Sequence, residues 1–298
     1  MSMGVKLLGG FSRGLGRLPL PVLQAMGRAL GRLGFGLYAS RRRVTVDNIQ
    51  RSFPDQDPAW VRSLARASFE QVGQLAMECM RLARLDSRDI MARVRVHGRE
   101  NFQAAKDQGR GVLLLSLHLG CWEWMVPGFA LGVEPFCAVY KPLKWQPADR
   151  LLYGWRALGG NILLDRAGSL EALLKHLGQN GTVLILLDQG ADWYEGVWVK
   201  FFGRDACTAK GMARLVAATG AAVVPMYLAR AQGGMFDLHL EPAVPPANTG
   251  SKLQDEWQNT QNYTRALEEI IRRHPEQWFW QHRRWKFINH CPWPREES

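Results

Sequence analysis

The sequence predicts an α/β protein built on a mostly parallel or mixed central sheet flanked by helices, with an amphipathic helix at its N-terminus. Three observations carry this. Short apolar runs such as 112–117 and 182–187 alternate with segments of helical period. Glycine turns punctuate the alternation. The first 46 residues carry a one-sided charge, with no acidic residue before Asp47 and eight basic ones, Lys6, Arg13, Arg17, Arg28, Arg32, Arg41, Arg42 and Arg43.

Within the basic segment, Leu23, Met26, Leu30, Leu33 and Leu37 recur at helical spacing, and Gln24 and Arg28 fall off their face. A membrane span needs about 20 predominantly apolar residues. The longest charge-free run, from Leu18 to Gly27, is half of that. A signal peptide is excluded because Arg28 and Arg32 interrupt the apolar stretch. The pattern fits a basic helix lying in a membrane interface, with a tilted single span or a helix packed on the protein's own core as the alternatives. Residues 1–43 are therefore read as an anchoring segment and 44–298 as one α/β domain.

From Pro58 to Leu85 the apolar period is helical. Val94–Val96 suits a short strand, and Gly109–Gly111 a turn before the buried strand Val112–Leu117. A strand over Phe136–Tyr140 precedes a helix over Pro147–Ala157, which Gly159 and Gly160 stop. Asn161–Leu164 suits a strand and Ser169–Leu177 a helix. Asn180-Gly181 is a turn leading into the strand Thr182–Leu187. A helix over Thr208–Thr219 ends at Gly220. The strands Ala222–Leu228 and Met235–Leu240 pair side by side. The proline-rich 242–249 is a loop, and the long helix Leu253–Arg273 stops before Pro275.

The formal net charge of +11 favours anionic partners without choosing among nucleic acid, acidic protein and membrane. Five cysteines, at 79, 121, 137, 207 and 291, show no CxxC spacing, which excludes a zinc ribbon and argues against a disulfide framework.

Chemistry concentrates where the strand Val112–Leu117 runs into His118-Leu-Gly-Cys-Trp-Glu123. Ligands of open α/β sheets bind beyond the carboxyl ends of strands. On one regular helix His118 and Glu123 stand about 140° apart. With His118 ending the strand and Gly120 making the turn, Glu123 enters the first helical turn and reaches back to the imidazole. A carboxylate there raises the basicity of the other ring nitrogen, as a general base for an alcohol requires. Cys121 offers a rival thiol nucleophile, or a small buried residue at the helix start.

The segment Leu115–Glu123 resembles the HxxxxD/E motif of glycerolipid acyltransferases, and most closely the branch of late lipid A acyltransferases, which carries Glu in the second place. Further matches are Arg42–Pro54, Tyr140–Lys144 with Arg156 and Gly159, Asp188-Gln189, Val199–Gly203 with Thr208 and Gly211, and Pro275–Lys286. The segment Trp193–Trp198 departs from the pattern, and no feature of the mycobacterial mannoside acyltransferases stands out.

The resemblance implies a glycerolipid-acyltransferase-like fold with His118 and Glu123 as catalytic residues. It implies transfer from an acyl carrier protein thioester to a hydroxyl of a lipid A precursor at the cytoplasmic face of the inner membrane. Acyl transfer from acyl-CoA to another glycolipid or a lysophospholipid is the alternative. Arg156, Asp188 and Lys141 are the candidate substrate-binding residues. Arg156 suits a phosphate or a developing oxyanion, while Asp188 suits a ligand, Arg156 or a turn cap. Phe201, Phe202 and Thr208 either shape the acyl pocket or pack a turn. The tryptophans and arginines of 277–286 belong to a lipid-headgroup anchor or a structural cluster rather than to nucleic acid. No metal, nucleotide or other cofactor is called for.

Overall fold

The computed structural model describes residues 3–165 and 168–285, with the side chains of 3–8 left aside. Lys286, Cys291 and the side chain of Lys6 lie outside the described residues.

Seven strands form the main sheet. They are β1 (Val94–His97), β2 (Val112–Ser116), β3 (Cys137–Tyr140), β4 (Ile162–Asp165), β5 (Thr182–Leu186), β8 (Ala222–Arg230) and β9 (Phe236–Leu240). Their order is β1-β9-β8-β2-β5-β3-β4. The strands β8, β2, β5, β3 and β4 run parallel, β9 is antiparallel to β8, and β1 is parallel to β9. The sheet is thus mixed but mostly parallel.

Every residue of β2 is buried, as a central parallel strand requires. Its side chains alternate between two apolar layers. Leu113 and Leu115 join α9 (Ser169–Gly178), α10 (Gly211–Thr219) and α11 (Lys252–Arg273). Val112 and Leu114 join Trp124 and Phe129 of α7 (Trp122–Gly132) on the other face. Three further helices, α5 (Ser87–Met91), α6 (Arg99–Lys106) and α8 (Gln146–Arg156), complete the flanks.

A separate hairpin, β6 (Gly196–Phe201) and β7 (Arg204–Ala209), stands where the sequence predicted no strand and, from Thr208, the start of a helix. Thr208 instead pairs with Val197, and α10 begins only at Gly211. The two-residue turn holds Phe202 and Gly203 at φ 51° and 70°. A bulky residue rarely occupies the first place of such a turn. Here the Phe202 ring is buried, in tilted or edge contact with Phe53, Phe201 and Trp280.

The N-terminal layer is α1 (Met3–Leu15), α2 (Leu20–Leu37), α3 (Ala39–Ser52) and α4 (Pro58–Leu82). Position 43 lies inside α3. Helix α2 lies on α4 through glycines. A Cβ on Gly31 would stand 2.3 Å from the Phe69 carbonyl oxygen, and one on Gly73 would stand 2.1 Å from that of Gly27. This backbone contact sets which face of α2 is left uncovered. Leu23 and Gln24 are buried, and Gln24 donates to Glu78 at 2.9 Å. Met26, Leu30, Leu33 and Leu37 face outward, 37%, 49%, 57% and 69% exposed. Beyond Leu23, the leucine face therefore does not pack on the protein's own core. Among the described residues, no helix is long and apolar enough to cross a membrane.

The closing motif is woven through this frame. Trp278, Trp280 and Trp285 are buried against Phe201 or Phe202. Asn48 of α3 donates to the carbonyls of Trp280 and His282, both at 2.9 Å, and Ser68 of α4 donates to that of Trp278 at 3.0 Å. The tryptophans act as a structural cluster, not as a headgroup anchor.

Candidate active site

Ser116, the last residue of β2, pairs with Leu186, the last residue of β5. The Leu187 N–H donates to the Ser116 carbonyl at 3.0 Å. Two residues further along each chain stand His118 and Asp188, brought level by the parallel pairing. His118 Nδ1 lies 2.8 Å from Asp188 Oδ1, and the His118 N–H donates to Asp188 Oδ2 at 3.0 Å. Trp278 Nε1 donates to the same Oδ2 at 2.8 Å. Three donors thus converge on one buried carboxylate.

This corrects the expected pairing: the carboxylate behind the imidazole is Asp188, not Glu123. Glu123 does enter the first turn of α7, where a negative charge suits the helix dipole. Its oxygens, however, face Arg156. The guanidinium donates from Nε to Oε2 at 2.9 Å and from Nη2 to Oε1 at 2.6 Å, a two-pronged pair. Trp122 Nε1 adds a bond to Oε1 at 3.1 Å, and the Trp122 ring stands edge-on to His118 with centroids 5.2 Å apart. The indole therefore touches both the histidine and the Glu123–Arg156 pair.

The turn between strand and helix depends on Gly120. Its φ is +60°, and a Cβ there would stand 1.9 Å from the Leu228 carbonyl oxygen. The Gly120 N–H donates to the Gln277 carbonyl at 3.0 Å, and the Phe279 N–H to that of His118 at 3.0 Å. The closing motif thus fixes the turn after His118 from outside.

Burial alone would lower the His118 pKa, but the Asp188 charge and hydrogen bond, helped by Glu123 and opposed by Arg156, hold it above its ordinary value. Burial alone would raise the Asp188 carboxyl, yet His118 and Trp278 hold it below the usual carboxylate range. With Nδ1–H donated to Asp188, Nε2 is left with a lone pair. The Gln189 amide nitrogen lies 3.4 Å from both ring nitrogens. Burial pushes the Cys121 thiol well above its ordinary range and Glu78 pushes it further. Cys121 is wholly buried in the core, so the sulfur reads as packing.

His118, Trp122, Glu123 and Arg156 line a cavity of about 530 Å³ whose other walls include Phe136, Leu173, Leu184, Met212 and Leu215. Tyr140 and Gly211 line it too, while Phe201, Phe202 and Thr208 do not, and serve to pack the hairpin. Lys141 is exposed just beyond Tyr140 and forms no part of the wall. Among the described residues, no cluster of three or more His, Cys, Asp or Glu could hold a metal.

A carboxylate-backed histidine at the carboxyl ends of parallel strands, beside an apolar cavity and a fixed arginine, is an arrangement with which an α/β enzyme can take a proton from a hydroxyl. The sequence comparisons assign the family. The chain matches the model of the bacterial lipid A biosynthesis acyltransferases over residues 3–287 and belongs to that family; it is an acyltransferase. It is 29% identical to the lipid A biosynthesis lauroyltransferase of Escherichia coli (strain K12) over 274 residues, 91% of this chain and 87% of that one. It is 25% identical to the palmitoleoyltransferase of the same organism, with the same coverage. A phosphatidylinositol mannoside acyltransferase of Mycolicibacterium smegmatis is 27% identical over 220 residues, 69% of this chain and 71% of that one. Of that last group the sequence shows the shared His-x4-Glu spacing and no further distinguishing feature.

The partnership of His118 with Asp188 escaped sequence reading because it depends on strand order. The motif match assigns Asp188 to a ligand, to Arg156 or to a turn cap, and not to His118. Trp278 had no signal beyond its place in the closing motif.

Proposed function

We propose that this enzyme moves a fatty acyl chain from an acyl carrier protein thioester to a hydroxyl of a lipid A precursor, with His118 as general base. The observation that carries the reading is His118 Nδ1 bound to buried Asp188 at 2.8 Å while the ring lines an apolar cavity. The acceptor is the 3-hydroxyl of an acyl chain already on the precursor. Its oxygen attacks the thioester carbonyl carbon as Nε2 takes its proton. The C–S bond then breaks, the ester forms, and His118 returns the proton to the leaving sulfur, giving the free carrier thiol. Asp188 fixes the tautomer and stabilises the imidazolium. Glu123 is a positioning residue that aims Arg156 at negative charge on the substrate or on the reacting oxygen. The apolar cavity takes the donor's alkyl chain. Lys141 is left as a cation near the mouth, suited to a phosphate at longer range.

The outward leucines of α2 and the acid-free charge of the N-terminal segment support attachment to the cytoplasmic face of the inner membrane, with α2 in the interface. The basic excess also suits the acidic carrier protein. The test supplies purified protein with radiolabelled acyl carrier protein and, in parallel, a lipid A precursor, a mannosylated phospholipid or a lysophospholipid. Label is expected in the lipid A precursor. His118→Ala is expected to lose roughly 10²–10⁴-fold of that rate. Label only in another acceptor, or full activity of the variant, would end the proposal.

A further inference from the structure

Two alkyl chains meet in the reaction proposed above, and the cavity lined by His118 accounts for one. A second apolar groove, of about 490 Å³, opens between α2, α4 and the closing motif. Leu30 and Gly34 form one wall and Val72 and Ala76 the other, with Phe279 and Arg41 also in the lining. The groove exists because the α2–α4 contact is made by glycines, which bring the helices together without side chains to fill the cleft.

One feature of the groove reaches the site. The Phe279 N–H donates to the His118 carbonyl at 3.0 Å. The Phe279 ring lies with its centroid 6.5 Å from that of His118 and 6.0 Å from that of Trp122. Leu30, 49% exposed, belongs both to the groove and to the outward leucine face of α2. The cleft therefore joins the apolar surface of α2 to the wall of the histidine. Arg41 supplies the charge that a phosphorylated headgroup would seek.

Resting on the reading of the enzyme as a glycolipid acyltransferase, we infer that this groove holds the acceptor's alkyl tail beyond the reacting hydroxyl. The donor chain occupies the cavity lined by His118, and the acceptor's tail reaches the histidine past Phe279. The arrangement lets the acceptor slide from the bilayer along α2 with its tail covered.

Two experiments test it. The first uses the full-length protein without donor and a lipid A precursor whose hydroxyacyl tail ends in a diazirine. On irradiation, label is expected on the peptides holding Val72 and Ala76. Label on peptides holding Leu173 or Leu215, or on none, overturns the inference. This readout needs no turnover, so it stands apart from the proposed activity. If no glycolipid is acylated yet label lies in the groove, the function fails and the lipid site stands. If transfer proceeds and label lies elsewhere, the reverse holds.

The second fills the groove with Gly34→Leu or, from the facing wall, Ala76→Phe. A Cβ at Gly34 meets only side chains at 3.7 Å or more, and leucine is the better helix former. Burial of a methylene contributes enough that excluding two from the groove costs roughly tenfold in kcat/KM. Each variant is expected to lose at least that with the full-length acceptor, and several-fold less with an acceptor cut short just past its hydroxyl. Equal losses with both acceptors, or a loss that follows donor chain length, overturn the assignment. Melting temperatures for both variants separate these outcomes from misfolding.

Discussion

Replacing Asp188 by asparagine is the sharpest test of how the histidine is activated. Asparagine matches the shape but offers one acceptor oxygen, while His118 Nδ1, the His118 N–H and Trp278 Nε1 converge on two. If the amide oxygen faces Nδ1, two buried N–H groups meet an NH₂. If the NH₂ faces Nδ1, the ring must carry its proton on Nε2 and is no longer a base. A hydrogen bond to a charged acceptor contributes about 1.5–3 kcal/mol, and a wrong tautomer costs up to about 10⁴ in turnover. Asp188→Asn is therefore expected to lose roughly 10²–10⁴-fold in kcat/KM. The acid limb of the profile adds a sign. In the parent, Asp188 outweighs burial and holds the His118 pKa above 6.5. Without the carboxylate, burial and Arg156 are opposed by Glu123 alone, so the limb moves to lower pH. Stability follows by linkage. His118, with its raised folded value, stabilises most fully below 6.5, and this is lost as pH rises through the folded pKa. Asp188, with its lowered value, stabilises above its unfolded pKa of about 3.9, and this is lost as pH falls through the folded one. The stability gap between parent and variant is thus widest between about pH 4 and 6.5. Transfer assays from pH 5 to 9, with denaturant melts at pH 5.5 and 8.5, read all of this. An unmoved acid limb with a small rate loss would refute the pairing.

Arg156→Lys keeps the charge but loses the two-pronged grip on Glu123, leaving a carboxylate only 8% exposed without its fork. It is expected to lose about 10–100-fold in kcat/KM, while its acid limb moves less than that of Asp188→Asn; the same pH–rate series decides. Cys121→Ala is expected to retain the parent's turnover, and a maleimide is expected to leave the native site active, since the thiol is buried and its pKa is raised. Lost turnover with intact folding would revive the thiol route. Replacing Leu33 and Leu37 by serine is expected to weaken sedimentation with anionic vesicles by at least about tenfold, because each leucine can bury about 1.5–3 kcal/mol of apolar surface. Unchanged sedimentation would remove α2 from the membrane contact.

Much of the fold was legible because its signals are local. The unbroken apolar runs gave β2 and β5, the glycines gave their turns, and the period of 253–273 gave α11. The hairpin β6–β7 was not legible, since its turn begins with Phe202 where such turns favour asparagine or aspartate. The N-terminal leucines were legible as a face fit for a membrane interface, while packing on the protein's own core stayed an open alternative. The outcome was set by Gly27, Gly31 and Gly73, whose value lies in what they lack and becomes visible only when two helices touch.

The His118–Asp188 pair shows the limit most clearly. His118 and Glu123 stand five residues apart, close enough to invite pairing within one motif. His118 and Asp188 are 70 apart, and only strand order joins them. Once β2 and β5 are neighbours, with Ser116 opposite Leu186, the residues two steps beyond each strand must come level, whatever the chain does between. Glu123 is then released to a different task. Arg156 ends α8, the crossover from β3 to β4, and needs a fixed anion if a guanidinium is to wait beside the cavity in one orientation. The first turn of α7 supplies it. The motif therefore serves two ion pairs rather than one, each closed by a partner from elsewhere in the chain. This predicts that the losses in Asp188→Asn and Glu123→Gln differ in kind: the first moves the acid limb, the second chiefly weakens the response to an anionic substrate.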